Sequence, residues 1–154
     1  MRLSTRGRYA VNAMVELAVN YRGTPVSVRT ISRRQGVSAS YLEQLLYRLG
    51  KSGLVESARG PAGGFSLKRS PEKINILEII EALGESVAPG YCVDEKRKRK
   101  QCSLVDSCVS RLLWEKLKES IKKILCHTTL EDLRQEAVRK MEKQMPGEGY
   151  VFNI

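Results

Sequence analysis

Over residues 6–21, Tyr9, Ala10, Ala13, Met14, Leu17 and Ala18 recur at three- and four-residue steps. That spacing predicts a helix with one apolar face, and Gly23-Thr24-Pro25 stops it. Ser27 is placed to cap a short helix, Val28 to Arg34, with Ile31 inward. Gly36-Val37 makes a tight turn. Ser38 caps a third helix, Ala39 to Leu49, whose inner side is Leu42, Leu45, Leu46 and Leu49. Gly50 and Gly53 end it. Two short helices joined by a glycine-containing turn make a helix-turn-helix. Beyond Gly53 the pattern becomes strand-like. Leu54 to Ser57, a turn from Ala58 to Gly64, and Phe65 to Leu67 form a β-hairpin, the position of a wing. Asn75 caps a fourth helix, Ile76 to Leu83, which closes the domain.

Residues 84–103 lose periodicity and are expected to be a long loop. A helical pattern returns from Leu104 to Cys126, with a stripe of Leu113, Leu117, Ile121, Ile124 and Leu125 widened by Leu112 and Trp114. A helix of that length spans about 35 Å, more than an 80-residue winged domain covers. Its simplest cover is a second copy of itself. Thr128 or Thr129 caps a last helix, Leu130 to Lys143. The expected fold is mainly α. A winged helix-turn-helix domain (1–83) is followed by a cysteine-bearing loop (84–108), dimerisation and C-terminal helices (104–143) and a tail (144–154). Tyr150, Val151 and Phe152 could dock that tail.

Charge adds a partner to this outline. The 154-residue chain carries a net +10. Residues 1–70 hold twelve Lys and Arg against three acidic residues, while residues 71–154 hold fifteen against fourteen. The positive field belongs to the winged half, and its natural partner is double-stranded DNA. A single histidine, and no phosphate loop, paired-carboxylate motif or zinc-protease signature, argue against an enzyme. No apolar run reaches membrane-spanning length, and the first residues lack a signal-peptide pattern, so the expected location is cytoplasmic.

The third helix turns Ser40, Tyr41, Glu43, Gln44, Tyr47 and Arg48 outward, side chains suited to base edges and phosphates. Arg29, Arg33 and Arg34 on the preceding helix support that use. Arg59 sits where a wing enters a minor groove. Cys92, Cys102 and Cys108 follow in a C-x9-C-x5-C pattern, with the basic run Lys96 to Lys100 between the first two. Clustered thiols in a reducing compartment point to zinc, an iron–sulfur cluster or redox sensing, and the spacing alone leaves these open. Cys126, apart on the apolar side of a helix end, is expected to be a small buried hydrophobe.

The opening MRLSTRGRYA, the segment VSASYLEQL from Val37 and the segment VESARGPAGGF from Val55 closely resemble the bacterial winged-helix regulator family of IscR, which also holds NsrR and CymR. The resemblance covers about residues 1–130. It implies a homodimer joined along the long helix 104–126. Ser40, Glu43 and Gln44 would face base edges, Ser38 and Tyr41 would hold the backbone, and Arg59 would enter the minor groove. Glu43 accepts from cytosine but repels phosphate, which suits discrimination between sites. It further implies a cluster held by Cys92, Cys102 and Cys108, with [2Fe–2S] favoured over [4Fe–4S]. Two departures matter. The first cysteine spacing is longer than usual for IscR, and Arg111 stands where IscR has a histidine ligand. Arg8 stands where nitric-oxide-sensing relatives carry a ligating carboxylate. His127 lies about 28 Å along the helix from Cys108 by helical rise, while Asp94, Glu95 and Asp106 are nearer. The fourth ligand is left unassigned. The competing readings are a regulator of the same fold that senses by thiol oxidation or a bound enzyme, as CymR does, and a zinc-bearing DNA-binding adaptor.

Overall fold

A computed structural model describes residues 4–95, 103, 104 and 106–144. The tail from residue 145, the run Lys96 to Lys100 and Cys102 lie outside the described residues. The core is organised around α1 (Thr5–Val19). Ser4 Oγ accepts from Gly7 N–H at 3.0 Å and starts that helix. Ala10, Ala13, Met14, Leu17 and Ala18 are at most 1% exposed. The three alanines let neighbouring elements approach closely, and α1 packs against every other helix of the winged unit.

The helix-turn-helix is α2 (Val28–Gln35) and α3 (Ala39–Lys51). Ser27 caps α2 through Thr30 N–H, and Ser38 caps α3 through Tyr41 N–H. Between them Gly36 takes φ 64°, a left-handed conformation that glycine adopts without a Cβ penalty. Ser32 Oγ then donates to Val37 C=O at 2.6 Å and pins the turn. Ile31, Leu42, Leu45, Leu46 and Leu49 are buried as their spacing requires.

The wing is an antiparallel pair, β1 (Val55–Ala58) and β2 (Gly64–Leu67), with Val55 opposite Leu67 and Ala58 opposite Gly64. Its base is stitched to the start of α2 by two hydrogen bonds of 2.9 Å between Val26 and Phe65. Gly64 is required there, because a Cβ would lie 2.3 Å from Val26 C=O. Next comes α4 (Ile76–Ala82), opened by a capping box of Asn75 and Glu78.

One boundary departs from the sequence reading. The long helix α5 runs Arg111–His127 rather than starting at Leu104. The described residues from Ser103 to Ser110 are turns and irregular backbone. Ser107, Ser110 and β-branched Val109 are weak helix formers in that stretch, and α5 spans about 25 Å. The last helix, α6 (Leu130–Gln144), starts where expected; it returns to the winged unit and packs along α1. Leu130 is fully buried, Ala137 is 5% exposed, and Leu130 N–H donates to Ile74 C=O at 2.8 Å. Thr129 and Asp132 bond reciprocally at the start of this helix. By contrast, α5 buries none of its residues in this chain.

Candidate nucleic-acid interface and cysteine segment

The reading face is built by the Ser38 cap and the four buried leucines of α3, which turn Ser40, Glu43 and Gln44 to solvent. Neither Glu43 nor Gln44 makes a hydrogen bond or ion pair among the described residues. Tyr41 is half-buried, edge-on to Tyr9 with ring centroids 6.1 Å apart. The Arg8 guanidinium lies 5.5 Å from the Tyr9 centroid. Sequence reasoning missed this flank because residues 8, 9 and 41 meet only in the folded chain. Ser38 Oγ accepts from Tyr41 N–H, which leaves its own O–H free to donate.

Arg59 follows β1 directly and is exposed, in a tip whose Gly60 takes φ 105°. Arg29 and Arg33 are exposed on α2. Arg34, expected with them, instead donates to Glu16 Oε2 at 2.6 Å. Glu16 is 1% exposed on α1, and its Oε1 has no hydrogen-bond partner among the described residues. Burial pushes its carboxyl above the ordinary value, outweighing the pull of Arg34. At the other end of α3, Lys51 Nζ lies 4.7 Å from the centroid of the Tyr47 ring, and Tyr47 is 62% exposed. A lysine four residues after an aromatic on one helix face is the signal that marks this pair.

The cysteine segment begins where Gly84, at φ 74°, ends α4. Ser4 Oγ donates to Glu85, and Arg6 Nε lies 3.6 Å from the same carboxylate. The segment is thereby fastened to the start of α1. Cys92 and Cys108 are half-buried free thiols. A small cavity beside Cys92 is lined by Asp94, Glu95, Arg111, Glu115 and Lys118. The Ser110 hydroxyl, and after it the backbone N–H of Arg111, hold the Cys108 thiol below its ordinary value. Arg111 pairs with Glu115 at 3.0 Å, so the residue in the expected histidine position is a charged ion-pair member. Among the described residues no three His, Cys, Asp or Glu converge closely enough to hold a metal ion. Cys102 lies outside the described residues, and the thiol chemistry of Cys92 and Cys108 suits a soft metal centre. Cys126, expected to be buried, is exposed, on a side of α5 that no described residue covers. His127 Nδ1 sits 2.7 Å from Lys123 C=O, at the far end of that helix.

A family model described as Rrf2, iron-dependent transcriptional regulator, matches residues 3–136. The chain belongs to the Rrf2 family. Similar Rrf2 proteins include the HTH-type transcriptional regulator IscR of Xenorhabdus nematophila, 42% identical over 94% of this chain and 87% of that protein. IscR of Photorhabdus laumondii is 44% identical over 86% of this chain and 79% of its own length. Among solved structures, IscR of T. potens superposes with a TM-score of 0.73 at 38% identity, covering 99% of this chain and 97% of that one. CymR, the global cysteine regulator of B. subtilis, gives a TM-score of 0.72 at 33% identity, covering 88% and 98%. As an Rrf2 protein the chain is a DNA-binding transcriptional regulator with a mainly helical winged fold, and not an enzyme. No described helix is long and apolar enough to cross a membrane.

Proposed function

We propose that this Rrf2 protein acts as a cytoplasmic homodimer, joined along α5, whose hold on DNA is set by an iron–sulfur cluster. Ser40, Glu43 and Gln44 face base edges in a major groove, while Ser38 and Tyr41 hold the phosphate backbone. Arg59 enters the adjacent minor groove. The observation that carries this reading is the exposed, unengaged Glu43–Gln44 face of a capped helix beside a wing with an exposed arginine. The free Ser38 hydroxyl at the start of α3 is suited to a phosphate oxygen.

Cys92, Cys102 and Cys108 would hold the cluster, and the family resemblance of the sequence favours [2Fe–2S] over [4Fe–4S]. Bound there, it supplies a crosslink that is lost when iron is short or oxidants attack it. This chain's own residues do the transmission. Ordering the cysteine segment pulls on Glu85, and Glu85 holds Ser4 and Arg6 at the start of α1. The same helix carries Tyr9 against Tyr41 on the reading helix. Restraining the cysteine segment would therefore bias the pose of α3 through α1.

Anaerobic purification with iron and acid-labile sulfide assays tests the cofactor. The expected result is a coloured protein with matching iron and sulfide. Cys92→Ala, Cys102→Ala and Cys108→Ala each bleach it, and Cys126→Ala does not. Bleaching by Cys126→Ala overturns the ligand set. A colourless protein after reconstitution moves sensing to thiol oxidation or a bound partner, and stoichiometric zinc moves it to a structural metal.

A further inference from the structure

The proposed base contacts occupy the first half of α3, yet its exposed face continues for another two turns. Ser40, Gln44, Tyr47 and Lys51 stand at i, i+4, i+7 and i+11, one row along the helix. Buried Leu42, Leu45, Leu46 and Leu49 hold that row outward. From Ser40 to Lys51 the row rises about 16 Å, against a major groove about 12 Å wide. A helix that reads bases with its first turns therefore brings Lys51 to the strand bounding the groove.

The chemistry at that end matches a phosphate. Tyr47 is 62% exposed, so its ring face is open to a cation. Its ring is engaged by the Lys51 ammonium at 4.7 Å. Lys51 has no ion pair among the described residues, whereas Arg48, one turn back, directs Nη1 to Leu83 C=O at 3.4 Å. A lysine loses considerable side-chain entropy when it is fixed on a ligand. A ring that already holds the ammonium reduces that loss before DNA arrives.

We propose that Lys51 contacts a DNA phosphate on the far wall of the groove and that Tyr47 is its positioning residue. This rests on the DNA reading of α3 given above. Lys51 supplies sequence-independent affinity, separate from the base readout of Glu43 and Gln44.

The test titrates salt against binding. The probes are a duplex that the wild-type protein selects from a randomised pool and a scrambled duplex of the same length. Lys51→Ala is expected to weaken both duplexes by a similar factor. It also flattens the dependence of log affinity on log salt by about 0.9 per subunit. Tyr47→Ala weakens both duplexes in the same way, and Tyr47→Phe, which keeps the ring, restores binding. In a Lys51→Ala background Tyr47→Ala adds nothing, the mark of a residue acting through its neighbour. A Lys51→Ala protein with the wild-type salt slope overturns the proposal while the DNA reading stands. So does a Tyr47→Ala effect that adds in full to Lys51→Ala. A wild type that selects no sequence but binds the scrambled duplex sinks the base-reading assignments, and Lys51 is still judged on the slope. A wild type that binds neither duplex overturns both. All three side-chain changes lie on the exposed face, and unchanged thermal melting confirms the fold.

Discussion

Gln44 and Arg59 are both exposed side chains, but they work on different parts of DNA. Gln44 has a planar amide able to bond an adenine edge at two points, and such a pair discriminates by about 1–3 kcal/mol. Gln44→Ala is expected to relax preference at one base pair by that amount and leave the others intact, measured on single-substitution duplexes. Arg59→Ala instead weakens all duplexes and is felt most at A·T-rich flanks, where a narrow groove concentrates negative potential. Unchanged footprints for both variants would remove these residues from the interface. Glu16 tests a buried charge. Its carboxyl lies above the ordinary value in the folded chain, so the folded state takes up a proton before the unfolded state does. Ionised Glu16 therefore costs stability at neutral pH, and that cost is relieved as pH falls through the raised value. Glu16→Gln removes the dependence. The melting temperature of wild type relative to Glu16→Gln should rise as pH is lowered from about 7 toward about 5. A constant difference would show that Arg34 fully compensates the burial.

Among the elements, the wing carries the strictest backbone demand. A Cβ at Gly64 would press within 2.3 Å of Val26 C=O, backbone against backbone, with no flexible side chain to yield. Gly64→Ala is expected to cost about 2 kcal/mol or more, read from a denaturation midpoint, and to loosen the placement of Arg59. A variant of unchanged stability would mean that Val26 and Phe65 part easily. The turns, caps and leucine spacing made α1 to α4 and the wing legible in advance, because each signal acts within a few residues. The errors fall where distant contacts decide. Leu104 to Ser110 continue the apolar spacing of α5, yet the described residues of that stretch are turns and irregular backbone, in keeping with the poor helix propensity of Ser107, Val109 and Ser110. The return of α6 onto α1 is set by Leu130 and Ala137 meeting a helix far away in sequence. At the candidate site, the exposure of Glu43 and Gln44 was legible from the helix period and the Ser38 cap from its place before α3. The Glu85 tie to Ser4 and Arg6 and the Arg34 pairing with Glu16 were not, because each joins residues remote in the chain.

At the scale of the whole molecule, α5 is the element with unfinished packing. Leu113 is 53% exposed, Leu117 39% and Ile124 64%, and they fall along one side of a helix with no buried residue. An apolar row of this kind normally marks an interaction surface, and covering each such side chain fully is worth about 1.5–3 kcal/mol. The row repeats on every copy, so two copies crossing on α5 satisfy each other under two-fold symmetry. Leu117→Glu combined with Ile124→Glu places a charge in each half of that contact. The expected outcome is a folded monomer in sedimentation equilibrium, because the residues that build the core lie on α1 to α4, the wing and α6. That monomer should bind a duplex with one half-site about as the wild type does. It should lose the large gain that a second, correctly spaced half-site gives a dimer, since the two reading helices are no longer linked. A double variant that still sediments as a dimer would place the interface elsewhere, and α5 would then need another partner to cover its row.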